Sequence, residues 1–258
     1  KDFFGVKYTC CFSRKIYEVK YFGDTLLMEA ESPDGEDGFP GNLKLAVRYT
    51  LTEDNTFRMD YRVSSDADTI VNLTNHSYFN LDGGGDVLNQ KLRIYASNYL
   101  EGNNQCCPTG AILPVADTPM DFTAGKLIGR EIDTGFAQTT MVGGGYDHCY
   151  VIDRARGSSQ SICAWATSDK TGISMKLYTT QPGIQLYTGN FLQDCPAPGK
   201  GGEPLPAKKE RPARRGRAEE PLEPLLARLE GEIAELPPEL RGGRLIRQAD
   251  YVHLLPAG

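Results

Sequence analysis

The sequence predicts an all-β chain folded as a large antiparallel β-sandwich. Three observations carry that prediction: short apolar–polar alternations recur along residues 1–202, Gly-rich turn segments separate them, and no long amphipathic helical stretch interrupts them. In the first clear pair of strands, Leu43, Leu45, Val47, Tyr49 and Leu51 alternate with polar or small residues. After the turn "TEDN", Phe57, Met59, Tyr61 and Val63 alternate again. This pattern predicts a β-hairpin with one buried face. Met175 with Leu177, and Ile184 with Leu186 and Thr188, predict two further strands, and "SPDGEDGFPGN", "DGGGD" and "VGGGYD" supply turns.

The stretch "VNLTNHSYFN" (71–80) holds one of only three histidines in the chain. If 70–76 is extended, Val71 and Leu73 face one way while Asn72, Thr74 and His76 face the other. His76 is then either a hydrogen-bonded structural residue at a strand end or a group that moves a proton.

A chain of 258 residues suffices for one large β domain or two ordinary ones. A net charge of −6 and an isoelectric point near 5.2 argue against nucleic acid as a partner. No run of eighteen apolar residues predicts a membrane span, and no signal peptide is visible, so the expected location is cytoplasmic. Seven cysteines, two pairs of them vicinal, lack the spacing of a zinc site and suit free thiols in a reducing cytosol.

Residues 203–258 differ in composition: they hold one aromatic, Tyr251, and eight of the chain's 16 prolines. "AKKERPARRGR" reads as a solvated linker. Leu222, Leu225, Leu226, Leu229, Ile233 and Leu236, between Pro221 and Pro237, predict a short helix near 221–236. The expected division is therefore a β-sandwich domain at 1–202 and an atypical tail at 203–258.

Five stretches, "DGEDGFPGNLKLAVRYTLTEDN", "VNLTNHSYFNLDG", "LPVADTPMDF", "GGYDHCYVID" and "YTTQPGIQLYTGNFL", resemble the aldose 1-epimerase (galactose mutarotase) family over residues 30–195. The resemblance implies the family's mutarotase-like supersandwich with a concave sugar cleft. It also implies a free hexose such as galactose or glucose as the small-molecule partner, and neither metal nor organic cofactor. Mutarotation opens a pyranose and recloses it on the other face of C1, which needs an acid for the ring oxygen and a base for the C1 hydroxyl. By resemblance His76 is that acid and contacts substrate, Ser77 and Tyr78 contact substrate, Asp147 accepts hydrogen bonds from sugar hydroxyls, and Gln185 binds a hydroxyl through its amide. His148 is read as structural, and His253 receives no role.

Both ends depart from the family. An Asn–Arg pair and a His-Gly-Gly histidine are missing before residue 30, which makes the start look truncated. The "CLET"-like segment with the glutamate base is replaced by "YTGNFLQDCPAPGKGG" and the tail, which reads as a fusion, frameshift or gene-model junction. Glu203, Glu210, Glu219 and Glu220 lie outside that motif. The expectation is a poor mutarotase at most. The alternatives are an inactive carbohydrate-binding remnant, an interaction protein acting through the 221–236 helix, and, as a minor reading, a hexose-6-phosphate epimerase. The oligomeric state is left open.

Overall fold

A computed structural model describes residues 12–154, 160–192 and 250–254, the last five as backbone only. These residues fall into two compact units that divide between Leu73 and Thr74. No helix among the described residues is long and apolar enough to cross a membrane.

The first unit is an antiparallel meander of β1 (Glu18–Phe22), β2 (Thr25–Ser32), β3 (Leu43–Leu51) and β4 (Phe57–Ser65), in that order. The hairpin expected from the alternation is β3–β4, paired from Leu43↔Ser65 to Leu51↔Phe57. Leu43, Leu45 and Val47 are buried, and Tyr49, Tyr61, Val63, Val71 and Leu73 pack against them. Leu51 and Phe57, which the alternation puts on the same face, are 61% and 51% exposed because they sit at the hairpin tip, past the end of this core. Asn55 takes the left-handed conformation there, with φ 62°, which asparagine tolerates better than most residues. The "SPDGEDGFPGN" loop is tied back by side chains. Asp34 accepts the Gly41 N–H at 2.6 Å, and Asn42 donates to Asp66 from both backbone and side chain. Gly41 has φ +85°, and a Cβ there would stand 2.5 Å from Ser65 Oγ, so only glycine fits.

The second unit has two sheets. One is six-stranded, in the order β5 (Tyr78–Phe79), β14 (Asp250–Leu254), β13 (Gly183–Tyr187), β10 (Asp147–Val151), β7 (Asn98–Gly102), β8 (Pro108–Pro114). The other runs β12 (Ser174–Thr179), β11 (Ser161–Thr167), β6 (Lys91–Ile94), β9 (Lys126–Leu127). Both sheets feed one core, with Leu92, Ile94, Ala164 and Ala166 from the smaller and Tyr99, Tyr150, Ile184 and Leu186 from the larger. The "LPVADTPMDF" loop earns its place by serving buried tyrosines: Tyr146 donates to the Pro119 carbonyl at 3.0 Å and Tyr150 to that of Met120 at 3.1 Å. Phe122 meets Tyr146 edge-on at 5.1 Å. One α-helix, α1 (Ala137–Met141), precedes β10.

The described residues are thus mostly antiparallel β structure, as the sequence pattern predicts, with one difference. The backbone of β14, inside the compositionally distinct tail, runs parallel to both β13 and β5. Residues 71–76 join no ladder, although Val71 and Leu73 face the first unit's core as their spacing predicts. The helix expected near 221–236 lies outside the described residues.

Candidate functional site

Two adjacent strands, β10 and β13, set the geometry. They pair from Asp147↔Tyr187 to Val151↔Gly183. Since side chains alternate across a strand, His148, Tyr150, Ile184 and Leu186 enter the core while Asp147, Cys149, Gln185 and Tyr187 share the other face. On that face the Gln185 amide donates to Asp147 Oδ1 at 2.8 Å. Diagonal neighbours across an antiparallel pair are within reach of a long side chain, so the contact follows from the register.

Burial raises the Asp147 carboxyl to about 6, and the Gln185 hydrogen bond partly opposes that rise. Burial lifts the neighbouring Cys149 thiol to about 11, with the Ile184 backbone working against it. Tyr187 is pushed up above the ordinary phenol range by burial, drawn partly back by the Phe191 N–H that its hydroxyl accepts at 3.0 Å, and raised further by Asp147, Tyr78 and Cys106.

An aromatic chain continues from there. The Tyr78 ring lies 6.1 Å from that of Tyr187, and the His76 ring meets Tyr78 edge-on at 5.4 Å. His76 and Ser77 are exposed, and Tyr78 is half-buried. Asn75 Oδ1 accepts the Ser77 N–H at 3.0 Å and bends the backbone just after His76.

Asp147 and Gln185 are therefore in direct contact, and Tyr187 and Tyr78 connect them to His76. Ser77 points to solvent from the same short segment. Tyr187 is the residue that sequence reasoning missed. Its signal was present in "GIQLY", where it alternates in phase with Gln185. A depression of about 430 Å³ lies elsewhere, over Asp117, Asp121, Lys126, Arg130 and Glu131, and none of His76, Ser77, Tyr78, Asp147, Gln185 and Tyr187 lines it. No group of three His, Cys, Asp or Glu among the described residues is placed to hold a metal ion.

Fold and site together define an antiparallel β-sandwich protein with a polar, aromatic-flanked sheet face. The aldose 1-epimerase family pattern matches residues 11–221, more of the chain than the 30–195 carried by the five motifs. The aldose 1-epimerase of Escherichia coli K12 is 40% identical over 180 residues, covering 69% of this chain and 51% of that protein. The galactose mutarotase of Rattus norvegicus is 36% identical over 197 residues, covering 76% and 55%. Among solved structures, a GalM/aldose epimerase homologue from C. elegans matches with a TM-score of 0.62 at 30% identity, over 69% of this chain and 52% of that one. The chain belongs to the aldose 1-epimerase family, and it spans about half the length of the curated relatives it matches.

Proposed function

We propose that the chain binds free hexoses such as galactose or glucose against the Asp147–Gln185 face and interconverts their α and β anomers. The observation that carries this reading is the 2.8 Å Gln185–Asp147 hydrogen bond on a face flanked by Tyr187, Tyr78 and His76 in a member of this family. The ionised Asp147 accepts from sugar hydroxyls, while the Gln185 amide orients that carboxylate and offers a second donor. Tyr78 offers an apolar ring face for sugar C–H groups, and Ser77 offers a hydroxyl.

His76 donates its proton to the ring oxygen as the C1–O5 bond breaks, and the C1 hydroxyl gives up its proton as the open aldehyde forms. Rotation about C1–C2 and the reverse transfers close the ring as the other anomer. In relatives with the "CLET"-like motif a glutamate takes the C1 proton. No glutamate of these 258 residues stands in that motif, so we assign no protein base, and in this reading the C1 proton passes to solvent. A positioned acid or base contributes roughly 10²–10⁴-fold, and turnover by these residues alone is correspondingly slow. Cytoplasmic residence fits this reading and the exposed Cys107 thiol.

Polarimetry on freshly dissolved α-D-galactose, paired with calorimetric titration of galactose, tests the proposal. Slow equilibration above the buffer rate that His76→Asn abolishes supports it. Binding without any rate above buffer favours the second reading, a sugar-binding protein without turnover, which the missing motif glutamate motivates. Neither binding nor turnover overturns both.

A further inference from the structure

His148 stands next to Asp147 in sequence but on the opposite face of β10, buried and in edge-on contact with Tyr99 at 5.8 Å. Its surroundings do more than fill space. Thr188 donates to the Tyr146 carbonyl on the β13 side, so strand alternation turns the Asp147 N–H away from β13, toward β7. The β7–β10 ladder, however, covers only Tyr150↔Tyr99 and Val151↔Asn98. The Asp147 N–H is met instead by His148 Nδ1 at 3.2 Å.

The ring's other nitrogen fixes the tautomer. Gln138, on α1, brackets the end of β7: its Nε2 donates to the Gly102 carbonyl at 3.1 Å and its Oε1 accepts the Gly102 N–H at 2.8 Å. Turning the amide over would break both bonds, so the atom that faces His148 Nε2 at 3.1 Å is an acceptor. Nε2 must therefore carry the proton, and Nδ1 keeps its lone pair. Burial also holds the imidazole down to about 4, which leaves it neutral at physiological pH.

We propose that His148 is a positioning residue for Asp147: held as the Nε2–H tautomer by Gln138, it takes the Asp147 backbone N–H on Nδ1 and so fixes the start of β10, from which the Asp147 carboxylate is presented on the opposite face. Gly102, Gln138 and His148 form a side-chain rung where the strand ladder stops short. The substrate aspect of this assignment rests on the sugar reading above, whereas its structural aspect does not.

Two readouts on the full chain separate them. In ¹⁵N-labelled protein at pH 7, long-range ¹H–¹⁵N spectra are expected to show His148 neutral and protonated on Nε2. The Asp147 amide is expected to exchange slowly, and at least tenfold faster in His148→Leu, in line with loss of one hydrogen bond. His148→Asn, whose Oδ1 can occupy the Nδ1 position, recovers most of that protection, and Gln138→Leu loses part of it. A proton on Nδ1, or equal Asp147 exchange in the wild type and both His148 variants, overturns the assignment whether or not any sugar binds. If His148→Leu does not fold, the wild-type tautomer and the Asn variant decide the matter. The second readout is the dissociation constant for galactose, expected to weaken about tenfold or more in His148→Leu and about threefold in His148→Asn. Equal weakening in the two variants, with both folded, removes the positioning role. Failure of the wild type to bind galactose counts against the sugar reading alone.

Discussion

The two faces of β10 and β13 are made by the same ten residues and obey opposite rules. On the core face, Tyr150 is wholly buried, its hydroxyl is satisfied by the Met120 carbonyl, and Ile184 and Leu186 pack beside it. On the other face, Asp147 holds a carboxyl whose ionisation burial opposes. The first face gains stability from its apolar contacts, and the second gives some up to hold a charge which, on the proposed reading, sugar hydroxyls would need. The difference teaches that the position of a side chain in the period-two alternation, more than its place in the sequence, decides whether a substitution is read out as folding or as binding.

The largest expected effect is therefore on the core face. Tyr150→Ala removes a buried aromatic and leaves the Met120 carbonyl without its donor, and it is expected to cost about 3–5 kcal/mol in urea unfolding. A loss below about 1 kcal/mol would show that the two faces are not energetically distinct.

The next effect is in pH dependence, because adjacent residues oppose each other. Asp147 rises in the fold from 3.8 to about 6, so the folded state holds more protons than the unfolded one between those values. Its contribution to stability is complete below about pH 4 and is lost as pH rises through 6. His148 falls from 6.5 to about 4, so its contribution is present above 6.5 and is lost as pH drops toward 4. Each amounts to roughly 3 kcal/mol at 1.36 kcal/mol per pH unit, and in the wild type the two largely cancel between about pH 4 and 6. Asp147→Asn is expected to expose the histidine slope, with stability falling on acidification. His148→Asn is expected to expose the aspartate slope, with stability rising. Urea midpoints measured at several pH values in that window check both, and parallel profiles in the two variants would contradict the opposition.

At pH 7.5 the Asp147→Asn change is expected to raise stability by roughly 1–3 kcal/mol, since a neutral isostere avoids the burial penalty and still accepts from Gln185. The same variant should lose galactose affinity, because an amide NH₂ meets hydroxyl donors where a carboxylate accepted them. A more stable protein with intact sugar binding would take Asp147 out of the site.

Much of this was legible in the sequence, and the reasons differ by element. The β3–β4 hairpin was readable because nine-residue alternation around a polar turn has few other solutions. Asp147 and Gln185 came from motifs, and their contact follows from a register that composition cannot supply, since it depends on which strands become neighbours. Tyr187 lies in phase with Gln185, but a tyrosine in a strand carries no signal in sequence that separates a site position from core packing. His148 reads as structural in sequence because the resemblance gives it no catalytic place, and nothing in "GYDHCY" shows that β7 ends short of Asp147 or that α1 brings Gln138 there. The parallel β14 was invisible because its neighbours β13 and β5 are distant in sequence, and parallel pairing leaves no hairpin signal.

The smallest expected effect concerns the link between the two polar residues of the outer face. Gln185→Leu removes the one hydrogen bond that draws the Asp147 carboxyl down against its burial. The residue is only partly buried and its aliphatic stem is retained, so urea stability should change by no more than about 1 kcal/mol. The carboxyl, left with burial alone, should titrate above the wild-type value of about 6. Galactose affinity should then fall off at higher pH than in the wild type, with a loss of about threefold at pH 7.5 from the missing amide contact. Calorimetric titrations from pH 5 to 8 measure both quantities. If affinity drops uniformly and the pH midpoint stays where it was, Gln185 contacts the sugar without tuning Asp147. If the midpoint moves and the affinity of the ionised form does not, Gln185 serves the carboxylate and not the sugar.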